Sequence, residues 1–337
     1  MCSFLILSGL TGVIELGVVF LGIYLGLPIP AVISLPLFYQ LGDVLMGFLP
    51  RKWKFCGLFS AIALLLGVLL YGKYHYITFA IQLVLTSYSI QTSRAAHKMA
   101  CPVWLKRVFR VGGFAVSPIM IIGNGQAVLL LSIVYCCMLG KKSKLPQISE
   151  PAHNKERKRV SFVMMFHQLH YFVYTYIMPV YMHCLTNSYV LSGLAFAATW
   201  IVYLLPQTIV ESLKMKRYSL MFFVCHSFLA VCMGMISYSS MLDASLAVLA
   251  LWLLTGLGGG SVFCIEHLIN HDDHQNMELS EKIGHVLGPI VSILLCYCFP
   301  TQEIVSLSMA SCVFVVLALF SAIGLKMKGK KNEYQNY

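Results

Sequence analysis

The chain has 337 residues, of which 58% are hydrophobic and 11% are charged, and its formal net charge is +11. Because a soluble domain carries about 25% charged residues, this composition excludes an ordinary soluble protein and places most of the chain in lipid. In a soluble protein such a positive charge would suggest a nucleic-acid partner. Here the basic residues lie in loops between apolar segments, so we expect no nucleic-acid binding.

Apolar segments follow one another along the whole chain, about twelve in number, each near the roughly 20 residues that a membrane-spanning helix needs. In the first part of the chain we predict helices over 3–26, 29–49, 55–72, 76–93, 104–122 and 126–140. In the second part we predict helices over 161–183, 189–212, 218–238, 243–265, 283–299 and 302–325. The predicted fold class is an all-α polytopic membrane protein with about 12 transmembrane helices.

The basic residues are distributed asymmetrically around these segments. If the spans alternate from a cytoplasmic N-terminus, Lys73 is the one exception among 24 lysines and arginines that otherwise fall on the same side. Basic loops stay on the cytoplasmic side of a membrane. We therefore expect cytoplasmic N- and C-termini and, from the compact loops, a bacterial inner membrane.

A polar segment over 141–160 carries seven basic residues and divides the chain nearly in half. We expect it to be a cytoplasmic linker between an N-terminal six-helix bundle, 1–140, and a C-terminal six-helix bundle with a basic tail, 161–337. The two halves would form a pseudo-repeat. Such parallel repeats are a known plan of transporters, with the substrate site between them near the membrane midplane.

The pattern Gly-x-x-x-small-Pro occurs once in each half and supports the repeat. It begins at Gly113 and ends at Pro118 in the fifth helix, and in the eleventh it consists of Gly284, Gly288 and Pro289. Small residues four apart let helices approach closely, and proline kinks or breaks a helix. We expect these residues to form matching gating elements.

With this layout the chain resembles the major facilitator superfamily over essentially its full length. The loop after the second helix, Gly47-Phe-Leu49-Pro-Arg51-Lys52-Trp-Lys54, is similar to the family motif Gly-x-Leu-Ala-Asp-Arg-x-Gly-Arg-Arg. It departs from that motif because Arg51 holds the Asp position and the second Gly is missing. The resemblance implies a secondary transporter that works by alternating access. The Gly-x-x-x-Gly-Pro pattern resembles the proline motif of the family's antiporters and favours export.

Glu15 lies in the middle of the first apolar segment, where a charge is costly and residues usually face a cavity or a partner. No basic residue lies within two turns of it. Desolvation favours the protonated form of a carboxyl, which suits a group that exchanges protons. We predict a proton-coupling or cation-binding carboxylate. The alternative is a protonated glutamate that is hydrogen-bonded inside the bundle.

The seventh helix carries a polar and aromatic stripe formed by His167, His170, Tyr171 and Tyr174, which are three and four residues apart and share a helix face. Histidine titrates near pH 6.5, which suits a proton relay. We predict that His167 and His170 handle protons. We expect Gln168, Tyr171, Tyr174 and Trp200 to line the substrate cavity. Interhelical hydrogen bonding with aromatic packing is the alternative, and a two-histidine metal site is a third.

Charged residues near the cytoplasmic ends of the helices are candidates for gating. Asp43 of the second helix could serve a cavity, a gate or a salt bridge to a cytoplasmic arginine. We expect Arg94 at the end of the fourth helix and Glu266 at the end of the tenth to pair across the halves, and Glu211 to form a gating salt bridge. Simple anchoring by the positive-inside rule is the alternative for Arg94.

The loop 266–274 contains three histidines and three acids. These are metal-ligand types, but their spacing matches no standard zinc pattern. A solvated cytoplasmic loop and a weak regulatory metal site are both open, and we assign no metal residue.

The sequence favours a proton-coupled exporter of a small organic solute. An exporter or importer of a metal chelate or siderophore would use the same machinery. A membrane-embedded enzyme is the other class, since intramembrane histidines could serve acyl or phosphoryl transfer. Repeated helices without a dominant catalytic loop argue against it, so we predict that the protein is not an enzyme. We expect no cofactor, a monomer, and as partners a small-molecule substrate, protons and the lipid bilayer.

Overall fold

The structure is a computed structural model. It describes residues 2–48, 56–69, 76–96, 103–122, 124–139, 155–212, 218–264 and 274–323. Every regular element in these ranges is a helix, as the composition predicts. The helical class of the fold is therefore confirmed.

The first helices along the chain are α1 (Cys2–Tyr24), α2 (Ile29–Phe48), α3 (Cys56–Leu69), α4 (Tyr76–Ala96), α5 (Val103–Val116), α6 (Ile119–Ile122) and α7 (Gly125–Leu139). They lie within a few residues of the predicted segments. The predicted fifth helix, however, is divided in two at Ser117 and Pro118, because proline cannot donate a backbone hydrogen bond and disfavours a helical residue before it.

The remaining helices are α8 (Lys155–Tyr174), α9 (Ile177–Thr186), α10 (Tyr189–Ser212), α11 (Tyr218–Met241), α12 (Ser245–Gly259), α13 (His274–Cys298) and α14 (Glu303–Ala322). A short 3-10 turn, Gly260–Val262, follows α12. The predicted seventh helix is interrupted at Thr175 and Tyr176. Proline has a different effect in α13, which continues as a helix through Pro289.

Within the described residues, six helices are long and apolar enough to cross a membrane, which makes the protein an integral membrane protein. These are Cys2–Tyr24, Tyr189–Ile209, Tyr218–Met241, Ser245–Val262, Leu279–Cys298 and Glu303–Ala322. Ile29–Leu45 and Gly125–Leu139 are apolar but shorter. The arrangement of twelve spans in two repeats stays a prediction.

The chain forms two compact units. The first consists of 1–149, 175–197 and 285–301, and the second of 150–174, 198–284 and 302–337. Relative to a simple division of the sequence at the linker, two segments of the second half, 175–197 and 285–301, belong to the first unit. The assignment of 1–140 and 161–337 to two six-helix bundles therefore stays a prediction.

In the first unit α1 packs against α5 through glycines. A Cβ atom at Gly113 would overlap the carbonyl oxygen of Gly9 and lie 3.1 Å from the Cα of Gly12. A Cβ atom at Gly12 would in turn overlap the carbonyl oxygen of Arg110. The backbones of the two helices are thus in direct contact, which is the close approach that the small residues predict.

In the second unit glycines also permit close packing. Cβ atoms at Gly256 and Gly260 would overlap or crowd the backbone of α10 at Thr199 and Tyr203. A Cβ at Gly284 of α13 would lie 2.5 Å from the Cβ of Gln168. The close-packing role predicted for Gly284 is observed; its gating role is not tested by these contacts.

The close contact at Gly113 predicts a large difference between two neighbouring substitutions. We expect Gly113→Ala to destabilise the protein by about 1–3 kcal/mol, the usual cost of overpacking. Gly112→Ala is the matched control, because a Cβ there meets nothing within 4 Å and alanine favours a helix by up to about 1 kcal/mol. Thermal unfolding of the detergent-purified variants measures both. Equal melting temperatures would show that α1 and α5 are not in contact at this point.

Candidate functional site

An ion pair between the buried Glu15 and Arg110, whose side chain is 27% exposed, lies in the first unit. The Glu15 side chain is 2% exposed, and its Oε2 accepts a hydrogen bond of 2.6 Å from Nη2 of Arg110. Its Oε1 accepts hydrogen bonds from Nε2 of Gln40 at 3.3 Å and from the phenol of Tyr176 at 3.2 Å. Gln40 also donates to the Tyr176 oxygen at 3.3 Å. We call these four residues the Glu15 cluster.

The packing of α1 on α5 explains how the two charges meet. Because Gly12 lets the α5 backbone lie directly against α1, the Arg110 side chain reaches the carboxylate of Glu15 on the neighbouring helix. Its guanidinium also lies 5.8 Å from the ring centre of Phe114, which gives the cation a second favourable contact. The partner that the sequence left unspecified for Glu15 is therefore Arg110 of α5.

Tyr176 reaches the cluster from a break in the chain. It is 1% exposed and lies between the end of α8 at Tyr174 and the start of α9 at Ile177. Residues 175–197 belong to the first unit, whereas 150–174 belong to the second. The phenol that contacts the carboxylate is therefore located where the chain passes from one unit to the other.

A chain of hydrogen bonds through two histidines lies in the second unit. Nδ1 of His167 is 3.0 Å from Nε2 of His226, and Nδ1 of His226 is 2.9 Å from the Ser261 hydroxyl. That hydroxyl donates to the carbonyl of Gly258 at 2.7 Å. His167 and His226 are 2% and 0% exposed. We call them the histidine pair.

The acceptor at the end of this chain assigns the tautomers. The single Ser261 proton is used on Gly258, so the hydroxyl must accept from Nδ1–H of His226. Neutral His226 then has a bare Nε2, which accepts from Nδ1–H of His167. The chain is thus satisfied with both rings neutral, and Nε2 of His167 is the basic nitrogen that remains.

Beside the histidine pair is a small cleft with a cavity volume of about 10 Å³, room for about one water molecule. We call it the aromatic cleft. Its lining residues are His170, Tyr171, Tyr174, Thr199, Trp200, Tyr203, Thr255, Gly256 and Gly259. The phenol of Tyr174 is hydrogen-bonded to Thr255 at 3.1 Å. Tyr171, Tyr174 and Trp200, which the sequence predicts in a cavity, therefore meet in this cleft.

Gln168 is not among the residues that line the aromatic cleft. Its Nε2 donates to Oε1 of Glu281 on α13 at 3.2 Å. A helix turns by about 100° per residue, so Gln168 presents a different face from His167. His170 does line the cleft, is 1% exposed, and has an Nδ1 without a hydrogen bond in the described part of the chain.

The structure describes the side chains of only some of the charged residues that we predict to form the gate. Nη1 of Arg94 donates to Gln91 on its own helix at 2.9 Å, and the guanidinium lies 5.8 Å from the Phe4 ring centre. Asp43 of α2 interacts electrostatically with Arg94. The side chains of Glu211 and Glu266 lie outside the described residues, and so do the side chains of the loop 267–274. Elsewhere in the described ranges, no group of three or more metal-ligand side chains is arranged to hold a metal ion.

Sequence comparison yields no relative: no protein-family model matches the chain, and neither does any curated protein. The fold does have solved counterparts. A bacterial homologue of the iron transporter ferroportin in the inward-facing state is 16% identical with a TM-score of 0.67, over 96% of this chain and 97% of that one. The outward-facing structure of a bacterial ferroportin homologue is 14% identical with a TM-score of 0.62, over 96% of this chain and 98% of that one.

The nucleoside transporter NupG gives 12% identity and a TM-score of 0.62, over 96% of this chain and 98% of that one. All of these proteins are transporters rather than enzymes. At such low identity the likeness shows the fold alone. The chain therefore shares the fold of these solved transporters, which is the fold that the resemblance of its sequence implies.

Proposed function

We propose that the protein is a secondary active transporter that exports a small organic solute in exchange for protons, by alternating access. It acts as a monomer in a bacterial inner membrane, with both termini cytoplasmic. The fold supports the transporter class. The observation that carries proton coupling is the buried carboxylate of Glu15, which is held by one cation and two neutral donors.

An ion pair with a buried carboxylate contributes little net free energy to holding helices together. Desolvation costs several kcal/mol per ion, and well-packed apolar residues of similar volume often give equal or greater stability. Ionisable residues inside membrane spans usually serve ion or proton pathways. Function explains the retention of Glu15 and Arg110 better than stability does.

Protonation of Glu15 would change the contacts of three segments at once. A neutral carboxyl no longer attracts Arg110, and it is a weaker acceptor for the phenol of Tyr176. Since Tyr176 lies in the break between α8 and α9, its release frees the chain at a point where it passes between the two compact units. The proton state of one side chain is thereby linked to a backbone hinge.

While Arg110 is bound to Glu15, both carboxylate oxygens accept hydrogen bonds from protein donors. In this proposal Glu15 therefore takes up its proton in a conformation in which Glu15 and Arg110 have separated and water reaches the carboxyl group. Deprotonation on the cytoplasmic side closes the pair again. Asp43, His167 and His170 assist the proton in this proposal.

The aromatic cleft serves as part of the substrate site, with Tyr171, Tyr174 and Trp200 as its walls. Glycines and prolines permit the movement of the helices, and charged residues near the cytoplasmic ends close the gate. The proposed gating residues are Arg94, Glu211, Glu266, Gly113, Pro118, Gly284, Gly288 and Pro289.

Metabolite profiling of cells and medium, with the protein present and deleted, tests the direction and identifies the solute. We expect one compound to accumulate inside the deletion strain and to fall in its medium. A compound depleted from the medium only by the intact strain would show uptake instead. Metal content of the same samples tests the metal-chelate alternative. A changed lipid without any difference across the membrane would overturn the transporter and favour the enzyme.

A further inference from the structure

We propose that the start of α5 binds the phosphate group of an anionic phospholipid, and that one acyl chain of this lipid lies along an apolar strip of the same helix. The phosphate is bound by Lys106 and Arg107, which we call the basic start of α5. The apolar strip consists of Val108, Gly112 and Val116. This inference goes beyond the proposed function, because it concerns neither the solute nor the proton.

The first unit carries a large excess of positive charge. By sequence, its segments contain twelve lysines and arginines but two acidic residues, Glu15 and Asp43. Glu15 binds Arg110, and Asp43 interacts electrostatically with Arg94. The stretch 44–149 contains no aspartate or glutamate. Most of the positive charge of this unit must therefore be balanced by anions from outside it.

The basic start of α5 lies at one end of the unit, where the ends of three helices meet. Phe4 is close to the start of α1, and the ammonium group of Lys106 lies 5.0 Å from its ring centre. Arg94 is close to the end of α4, and its guanidinium lies 5.8 Å from the same ring centre. Long basic side chains near the ends of membrane helices reach the lipid headgroups. The structure thus holds cations together at the depth where lipid phosphates lie.

The side chains of Lys106 and Arg107 are half-buried, so a ligand can reach them from the surface of the protein without a closed cavity. Arginine presents five N–H donors and lysine three, and these suit the several acceptor oxygens of a phosphate. Lys106 and Arg110 are four residues apart on α5, and like charges at this spacing repel each other. A phosphate bound beside Lys106 reduces that repulsion.

The exposed apolar strip begins directly after the two cations. Val108 is 47% exposed and Val116 is 55% exposed. Gly112 lies between them at the four-residue spacing of one helix face, and a Cβ atom there would meet nothing within 4 Å. The strip is therefore a shallow groove about 12 Å long. One acyl chain can cover it, because one leaflet of the hydrocarbon core is about 15 Å thick.

The combination of a basic end with an apolar groove favours one class of ligand. A soluble oxyanion would contact the cations but leave the groove uncovered. A zwitterionic lipid would cover the groove but bring a positive charge close to Lys106 and Arg107. An anionic phospholipid satisfies both parts, and basic sites beside membrane helices are known to bind such headgroups.

The test is native mass spectrometry of the full-length protein in detergent, with equal amounts of phosphatidylglycerol and phosphatidylcholine that have identical acyl chains. A basic residue near the surface favours an anionic lipid by about fivefold, so two of them should give on the order of 30-fold more bound phosphatidylglycerol. Lys106→Gln combined with Arg107→Gln should remove most of this preference. Lys141→Gln combined with Lys142→Gln removes the same charge from the polar segment 141–160 and should retain it.

Two leucine substitutions test the groove. Gly112→Leu fills it and should lower the amount of bound phosphatidylglycerol severalfold. Gly234→Leu in α11 is the matched control, because a Cβ atom at Gly234 also meets nothing within 4 Å. The melting temperatures of both variants show that they remain folded. Equal lipid binding by the two folded variants overturns the groove.

Two outcomes overturn the lipid site as a whole. The first is equal retention of the two lipids by the wild-type protein, and the second is a preference that survives in the double variant of Lys106 and Arg107. Excess sn-glycerol 3-phosphate, which has the phosphate but no acyl chains, should leave the lipid bound. Full displacement would assign the two cations to a soluble phosphate and overturn the inference. Failure of the transport proposal would leave the lipid site standing, because these measurements involve no transport.

Discussion

Glu15→Gln is expected to abolish solute transport driven by a pH gradient while leaving the protein folded. Glutamine has nearly the same shape and can still accept hydrogen bonds from Gln40 and Tyr176, but it cannot gain or lose a proton. We expect the flux into proteoliposomes to fall on the order of 100-fold, as it does in enzymes when a proton-transfer group is removed. The flux is measured with the solute identified by metabolite profiling.

Two further measurements separate coupling from general damage. Exchange of labelled for unlabelled solute without a gradient should persist in Glu15→Gln, because it requires binding and movement but no net proton transfer. Glu303→Gln is the control substitution, since Glu303 lies in the first turn of α14 near the end of its span and outside the Glu15 cluster. Gradient-driven flux by Glu15→Gln equal to that of the wild type would remove Glu15 from the coupling step.

The helical segments were largely predictable because a membrane imposes a length and a composition on each of them. The observed bounds of α2, α10 and α11 begin at the predicted residues, 29, 189 and 218. Local chemistry that interrupts a helix was harder to place. The break at Pro118 carries a sequence signal, and so does the break at Thr175 and Tyr176, because Pro179 has no N–H to donate to the carbonyl of Thr175 four residues earlier.

The burial of Glu15 was predictable, but its partner was not. Hydropathy identifies a lone acid in an apolar segment, and α1 indeed buries it. Arg110 lies 95 residues away in the chain, among basic residues that the charge asymmetry assigns to a cytoplasmic stretch. Arg110 lies three residues after Arg107 and four after Lys106, the spacing of one helix face. The helix over 104–122 was predicted, but this spacing did not indicate which helix that face would contact.

The histidine pair shows the same limit. His167 and His170 were conspicuous as neighbours on one helix, whereas His226 is a lone histidine in an apolar segment with no local feature to indicate its role. Its place in the pair depends on its hydrogen bonds to His167 of α8 and to Ser261, which are contacts between distant parts of the sequence. Gln168 shows the opposite case. It is adjacent to His167 in the sequence, but it lies on a different face of the helix and contacts Glu281 instead of the aromatic cleft.

Removal of Arg110 is expected to destabilise the protein more than any other single change in the Glu15 cluster. Arg110→Met leaves the Glu15 carboxylate, 2% exposed, without its counter-ion. Breaking a fully buried pair in this way costs about 3–5 kcal/mol, and we expect a smaller loss here because the Arg110 side chain is 27% exposed. Titration of the detergent-purified protein with sodium dodecyl sulfate, followed by circular dichroism, measures the free energy of unfolding.

A double substitution tests whether the loss comes from the stranded charge. Glu15→Gln combined with Arg110→Met removes both ions, so we expect most of the lost stability to return, with a favourable interaction energy in the double-mutant cycle. Arg107→Met controls for the loss of a neighbouring basic side chain on α5 and should cost far less. If Arg110→Met and Arg107→Met are equally stable, or if the double variant is no more stable than Arg110→Met, the pair does not hold Glu15. The coupling proposal would then lose its structural basis, because the proton state of Glu15 could no longer be linked to its neighbours through Arg110.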